Sequence, residues 1–371
     1  MIYKKFHDLE LSALGMGCMR LPHLDQYEDI HIPAVKEMIA YAMEKGINYY
    51  DTAWFYHGGQ SEPVMGQVLS EYPRDRFYLA TKFPGFAEEN FQKKEEIFNK
   101  QLERCQVTYF DFYLCHNVCE KNIEHFIDPK YGLREYLLQQ KQEGRIRHLG
   151  FSTHGSLETM ERFLDYYGEH IDFCQIQLNW LDWELQDAKT KVQMLNSRNI
   201  PIWVMEPLRG GSLCKLTAEN EKTLMQLRPD HSMPQWGFRF LETVPGVTMI
   251  LSGMSDLQQL QENIQTFDRT NPLQAEEQEA LFSIARSIMA KNTFLCTNCR
   301  YCVDYCPMEL NIPVLIKLYN KHIYTDNAID AGELGEEKHP SHCVSCGKCV
   351  AQCPQKVRIP LMMHELAKKL P

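Results

Sequence analysis

The chain has 371 residues, 44 % of them hydrophobic and 24 % charged, an ordinary globular composition that allows one large domain and a small one. Its formal net charge of −10 excludes a general nucleic-acid binder, which needs a basic footprint. No stretch approaches the roughly 18 apolar residues of a membrane span, and the opening Met1-Ile2-Tyr3-Lys4-Lys5-Phe6 has no apolar export core, so a cytoplasmic protein is expected.

In chain order, short β-branched or aromatic runs alternate with longer amphipathic stretches. Strands are predicted near Ala13–Met19, then at Ile47–Thr52, Phe77–Phe83, Phe110–Val118, Arg147–Thr153, Phe173–Trp180, Ile200–Glu206 and Val247–Gly253. Helical patterns fall between them at Pro33–Glu44, Pro63–Glu71, Glu95–Cys105, Leu133–Glu143, Leu157–Tyr167, Leu185–Asn199 and Leu257–Phe267. Such alternation predicts βαβ units on a parallel sheet. Eight strands in a stretch of this size predict an α/β fold, a (β/α)8 TIM barrel over residues 1–290. An open doubly wound sheet would call for a glycine-rich fingerprint after the first strand, and Gly15-Met16-Gly17-Cys18-Met19-Arg20 lacks its third glycine.

Residues 291–371 are predicted to form a separate small, mainly α-helical domain built on an internal repeat. Cys296, Cys299, Cys302 and Cys306-Pro307 recur at an offset of 47 as Cys343, Cys346, Cys349 and Cys353-Pro354. After each run comes Ile-Pro and an apolar helical pattern, at Val314–Tyr319 and Leu361–Leu366, with proline where a helix can begin without loss. This cysteine spacing holds cubane iron–sulfur clusters, the fourth cysteine of each run binding the other cluster. One [4Fe-4S] cluster is thus expected on Cys296, Cys299, Cys302 and Cys353, and a second on Cys343, Cys346, Cys349 and Cys306. Zinc also accepts C-x-x-C pairs, but gives no reason for a third cysteine at the same step or for the trailing proline. The other six of the 14 cysteines are scattered, as in a reducing compartment.

Catalytic candidates stand at the C-terminal ends of the predicted barrel strands, where active sites of such barrels assemble. Asp51 ends the second strand, with Tyr56 in the glycine-bearing loop after it; Lys82 ends the third and His116 the fourth. Singly, each is an ordinary surface or structural residue. Together they put four ionisable groups at one mouth.

On these residues the chain resembles the aldo/keto reductase family over roughly residues 3–270. The resemblance continues through Tyr56-His57-Gly58-Gly59-Gln60-Ser61-Glu62, Gly150-Phe151-Ser152-Thr153-His154, Gln175-Ile176-Gln177, Pro207-Leu208-Arg209-Gly210-Gly211 and Ser252-Gly253-Met254-Ser255. With its tail it is similar to reductase–ferredoxin fusions of that family, the tail resembling an α-helical dicluster ferredoxin. The resemblance implies a small carbonyl or alcohol substrate, and NAD(P)H lying extended across the barrel mouth. Ser152 and Gln175 match the positions that hold the nicotinamide carboxamide. Pro207, Leu208, Ser252, Gly253, Ser255, Glu262 and Asn263 match further cofactor-binding positions, the last five at the adenosine half. Tyr56 would be the acid/base, Lys82 would favour its phenolate, Asp51 would hold Lys82, and His116 would orient the carbonyl.

Thr153 stands where the family usually has asparagine, and Met205 where an aromatic often stacks on the nicotinamide. No Lys or Arg occurs between Leu251 and Asp268, where a cation would meet a 2′-phosphate, although Arg209 or Arg269 could substitute. NAD and NADP therefore both stay open. Hydride moves two electrons and a cluster passes one; a flavin would join the two, and no residue pattern marks a site for one. The clusters serve either electron transfer, with a redox partner protein, or structure, and an electron-transfer protein whose barrel docks a partner or a flavin is the alternative reading. Asn179-Trp180-Leu181-Asp182-Trp183 is either a substrate wall or packing under the tail.

Overall fold

The computed structural model describes residues 1–291, 293–325, 329 and 331–370. They form two compact units, Met1–Pro207 with Phe238–Pro272, and Leu208–Gly237 with Leu273–Pro371.

The first unit is a closed parallel barrel behind a hairpin of β1 (Tyr3–Phe6) and β2 (Leu9–Ser12). The barrel strands are β3 (Leu14–Gly17), β4 (Tyr49–Asp51), β5 (Tyr78–Phe83), β6 (Phe110–Val118), β7 (Ile146–Thr153), β8 (Phe173–Gln177), β9 (Ile202–Met205) and β10 (Val247–Ser252), and β10 closes on β3. All eight predicted strands are present. The hairpin is an addition that four-residue, lysine-bearing strands do not announce by periodicity. It plugs the barrel floor: Phe6 packs with Tyr49, Phe112, Phe173 and Trp203 in one buried cluster. Gly15 has no side chain because Met249 Sδ and Leu251 Cδ2 lie 2.7 and 2.8 Å from where a Cβ would stand.

Five strands, β3, β4, β8, β9 and β10, end earlier than predicted, β8 by the most. Past Gln177 the Asn179 side chain accepts from the Leu181 and Asp182 backbone N–H groups, turning the chain into helix Asp182–Leu185. Past Met205, Glu206 adopts φ +56°, which breaks the extended run. Trp180 is buried, and Trp183 packs edge-on against Phe240 at 5.7 Å.

In the second unit the repeat holds residue by residue. Left-handed backbone at Asn298, Arg300 and Glu309 recurs 47 positions on at Ser345, Gly347 and Lys356. Leu310 N–H donates to Cys306 Sγ and Val357 N–H to Cys353 Sγ, each at 3.5 Å. Helices Ile312–Thr325 and Ile359–Ala367 bury matching faces, Ile312, Leu315, Ile316 and Tyr319 against Ile359, Met362, Met363 and Leu366. Helices Ala218–Leu227 and Ala275–Ala290 complete the unit, the latter opened by a capping box of Gln274 and Glu277.

Candidate active site

Asp51 closes β4, Lys82 is next to last in β5, and His116 lies near the end of β6, so parallel strands deliver all three to one mouth. Tyr56 opens the turn Tyr56–Gly59 that follows β4. Lys82 Nζ donates to Asp51 Oδ1 at 2.6 Å, to the Thr52 carbonyl at 2.7 Å and to the Tyr56 hydroxyl at 3.2 Å. An ammonium has three N–H groups, and these three acceptors use them all. No N–H of this lysine, 0 % exposed, is left without an acceptor. Burial pushes the Asp51 carboxyl up, and the Lys82 ammonium pulls it back.

The Tyr56 and His116 rings meet edge-on at 6.0 Å. Burial, and then the charge of Lys82, hold His116 well below the ordinary histidine range, so its ring is neutral and its buried Nδ1 is unpartnered. A register shift between Cys115 and Val118, with Asn117 at φ +53°, re-aims the strand at this point.

A buried carboxylate steadies β5 from behind. Glu62 Oε1 accepts from Thr81 Oγ1 and Gln101 Nε2 at 2.7 Å each, and Arg104 reaches Oε2 at 3.3 Å. Gln101 also donates to the Lys82 carbonyl at 2.9 Å. The loop carrying Tyr56 is pinned by its neighbour His57: Nδ1 donates to the Tyr27 carbonyl at 2.6 Å, and Nε2 accepts from Leu21 N–H at 3.1 Å. That tautomer is neutral, and burial depresses His57 to about 4; His154 is depressed to about 4 by burial as well.

The unfolded chain protonates such histidines near 6.5, so below that pH it binds more protons than the native state. Stability is therefore full above pH 6.5 and declines towards pH 4. The barrel's thermal midpoint, followed by far-UV circular dichroism, is expected to fall between pH 7 and pH 5. A midpoint level across that window would refute this account.

Residues matched to the dinucleotide, apart from Leu208, lie along the same unit. Ser152 is buried, its hydroxyl oxygen accepting from Asn117 N–H at 2.8 Å. Gln175 sits beside it in register, its buried Oε1 unpartnered, as is Asn117 Oδ1. Ser252 accepts from Asn263 Nδ2 at 3.2 Å, and Ser255 Oγ donates to the Arg20 carbonyl at 3.0 Å. Glu262 is exposed and Pro207 buried. Leu208 falls in the second unit, as does Arg209, which is buried and donates to Gln355 Oε1 at 2.9 Å.

Arg20 comes to the Ser252–Gly253 segment from a distant point in the chain. Its Cγ and Cδ lie 3.0 Å from where a Gly253 Cβ would stand, and its Nη2 pairs with Glu206 Oε1 at 3.3 Å.

In the second unit the cysteines of the two runs act on one another across the repeat. The thiols that act on buried Cys302 are, in order, those of Cys299, Cys296, Cys353 and Cys349, while those acting on Cys349 are Cys343, Cys306 and Cys346. A pocket has Cys306, Cys343, Cys346 and Cys349 on its walls. Four thiols around one space form a donor set that suits an iron–sulfur cluster.

Residues 13–286 match the aldo/keto reductase family. The chain belongs to that family. Residues 295–357 match a 4Fe-4S dicluster domain. Among curated relatives, the chain is 24 % identical over 320 residues to the uncharacterized oxidoreductase YqkF of Bacillus subtilis, covering 76 % of this chain and 97 % of the relative. It is 26 % identical over 228 residues to the NADH-specific methylglyoxal reductase of Escherichia coli, 56 % of this chain and 66 % of that protein. The fold matches that of the aldo-keto reductase AKR11C1 from Bacillus halodurans, holo form, with a TM-score of 0.62 at 24 % identity over 76 % of this chain and 96 % of the other.

The protein is therefore an oxidoreductase of the aldo/keto reductase family with an iron–sulfur domain. Several site residues escaped the sequence reading. Phe55 and Phe86, 49 % and 38 % exposed, meet edge-on at 5.5 Å, and Phe86 lies edge-on to His116 at 5.1 Å. Arg20 and Gln101 are isolated in sequence. Phe55, beside Tyr56, and Asn117, beside His116, carried a signal that proximity could have used.

Proposed function

We propose that the protein interconverts small carbonyl compounds and alcohols using NADH, with Tyr56 as acid/base, and that its tail carries two [4Fe-4S] clusters that pass single electrons. The observation that carries the first part is the Lys82 ammonium, bonded at once to the Tyr56 hydroxyl and to Asp51. A bound nicotinamide dinucleotide supplies or accepts the hydride. Tyr56 gives its proton to the forming alkoxide, and Lys82 stabilises the phenolate left behind. Asp51 holds Lys82 in place and charged. Neutral His116 orients the carbonyl oxygen by a hydrogen bond, and Phe55 and Phe86 offer an apolar wall to the substrate's side chain.

The unpartnered Gln175 Oε1 is an acceptor suited to a carboxamide N–H, which supports Ser152 and Gln175 as the nicotinamide grip. The choice of NADH rests on the segment Leu251–Asp268, which has Asp256 and Glu262 but no Lys or Arg to meet a 2′-phosphate. The similar E. coli protein is NADH-specific by its name.

Arg20, between Glu206 and Gly253, is read as the contact for the dinucleotide's phosphates. Arg20→Ala should weaken NADH binding roughly tenfold, the worth of one charge-assisted hydrogen bond, with kcat little changed. Fluorescence titration of NADH would read this, and unaltered binding would remove Arg20 from the site.

The reading as a whole is tested by anaerobic NADH and NADPH oxidation against aldehydes and ketones, on protein whose clusters are intact. Turnover that prefers NADH supports it; no turnover with either nucleotide sinks it.

A further inference from the structure

The two halves of the tail share one backbone path but differ in how far they face solvent. At the first position after the leading cysteine, Thr297 is 2 % exposed, whereas its equivalent Val344 is 59 % exposed. Cys299 is half-buried, and its equivalent Cys346 is the one exposed cysteine among the described residues. Tyr301 is half-buried, and its equivalent Lys348 is exposed. The inequality stands although three left-handed positions and one N–H···S bond repeat across the offset of 47. The repeat acts as an internal control.

Crossed ligation sorts the ligands unequally as well. Cys296, Cys299, Cys302 and Cys353 include no exposed member, while Cys306, Cys343, Cys346 and Cys349 include Cys346. Tyr305, 49 % exposed, and Val344 stand beside the latter four around the same pocket.

We infer that electrons cross the surface of this unit at the cluster held by Cys306, Cys343, Cys346 and Cys349, and that the other cluster is the shielded member of the pair. The external party is a one-electron carrier: it gains the single electron that the reduced cluster loses, or the reverse, and no bond to the protein forms or breaks. Solvent exposure both opens a cluster to outer-sphere partners and shifts its potential. The inference rests on the two-cluster reading above.

The test uses the full chain with clusters loaded, reduced anaerobically with dithionite. Limiting oxidant is then mixed in, ferricyanide in one series and a ferrocenium cation in another, so that charge steering is controlled. Freeze-quenched samples are read by electron paramagnetic resonance. The signals are assigned with the equivalent variants Cys299→Ser and Cys346→Ser, each of which alters one cluster. The signal altered by Cys346→Ser is expected to be lost several-fold faster in the wild type, with both oxidants. Equal rates, or faster loss of the signal altered by Cys299→Ser, would overturn the inference.

Should either variant fail to load iron, relaxation of the two wild-type signals by a soluble gadolinium chelate gives the exposure directly. Unequal enhancement is expected, and equal enhancement would overturn the inference without any variant. Protein that never holds more than one cluster would instead defeat the two-cluster reading, so the two failures are distinguishable.

Discussion

Tyr56→Phe is expected to lower kcat/KM for carbonyl reduction by roughly 10²–10⁴-fold, the usual worth of a positioned general acid. The substitution removes one oxygen and leaves the ring, its edge-on contact with His116 and its buried place intact. Lys82 loses one of three acceptors but retains Asp51 and the Thr52 carbonyl, so its charge stays answered. NADH affinity should therefore match the wild type, and the loss should fall in kcat. Steady-state kinetics beside an NADH titration separates the two. A mutant as active as the wild type would show that the proton comes from elsewhere, and His116, neutral and unpartnered at Nδ1, would be examined next.

The second large effect concerns iron. Cys296→Ala and Cys353→Ala, 57 positions apart, should each remove the same cluster, with iron content falling by about four atoms per chain. Cys306→Ala and Cys343→Ala should each remove the other. The pocket wall favours this, because Cys306 stands on it with Cys343, Cys346 and Cys349. Iron analysis with electron paramagnetic resonance of the four variants would decide. If Cys353→Ala left the signature of Cys343→Ala, ligation would follow each run in sequence and the crossed arrangement would be wrong.

What could be read along the chain was whatever repeats at short range. Short β-branched or aromatic runs exposed all eight barrel strands, because a strand buried on both faces reads as a nearly continuous apolar run, here of three to nine residues. The 47-residue offset exposed the tail, because two cluster loops must bend the backbone alike, down to left-handed turns at Arg300 and Gly347. The four ionisable candidates were legible because a parallel barrel sends every strand end to one mouth.

Side chains brought together by closure of the barrel left no such trace. Arg20 and Glu206 are 186 positions apart and pair only because β3 and β9 flank β10. Glu62 and Gln101 anchor Lys82 through contacts between the helices that follow β4 and β5, which no local pattern encodes. The inequality of the two cluster loops was also hidden: they share cysteine spacing and left-handed turns, and cysteine spacing does not report how far a loop faces solvent. Short-range order is written in residue spacing, whereas burial and long-range pairing come into being only when the chain closes on itself.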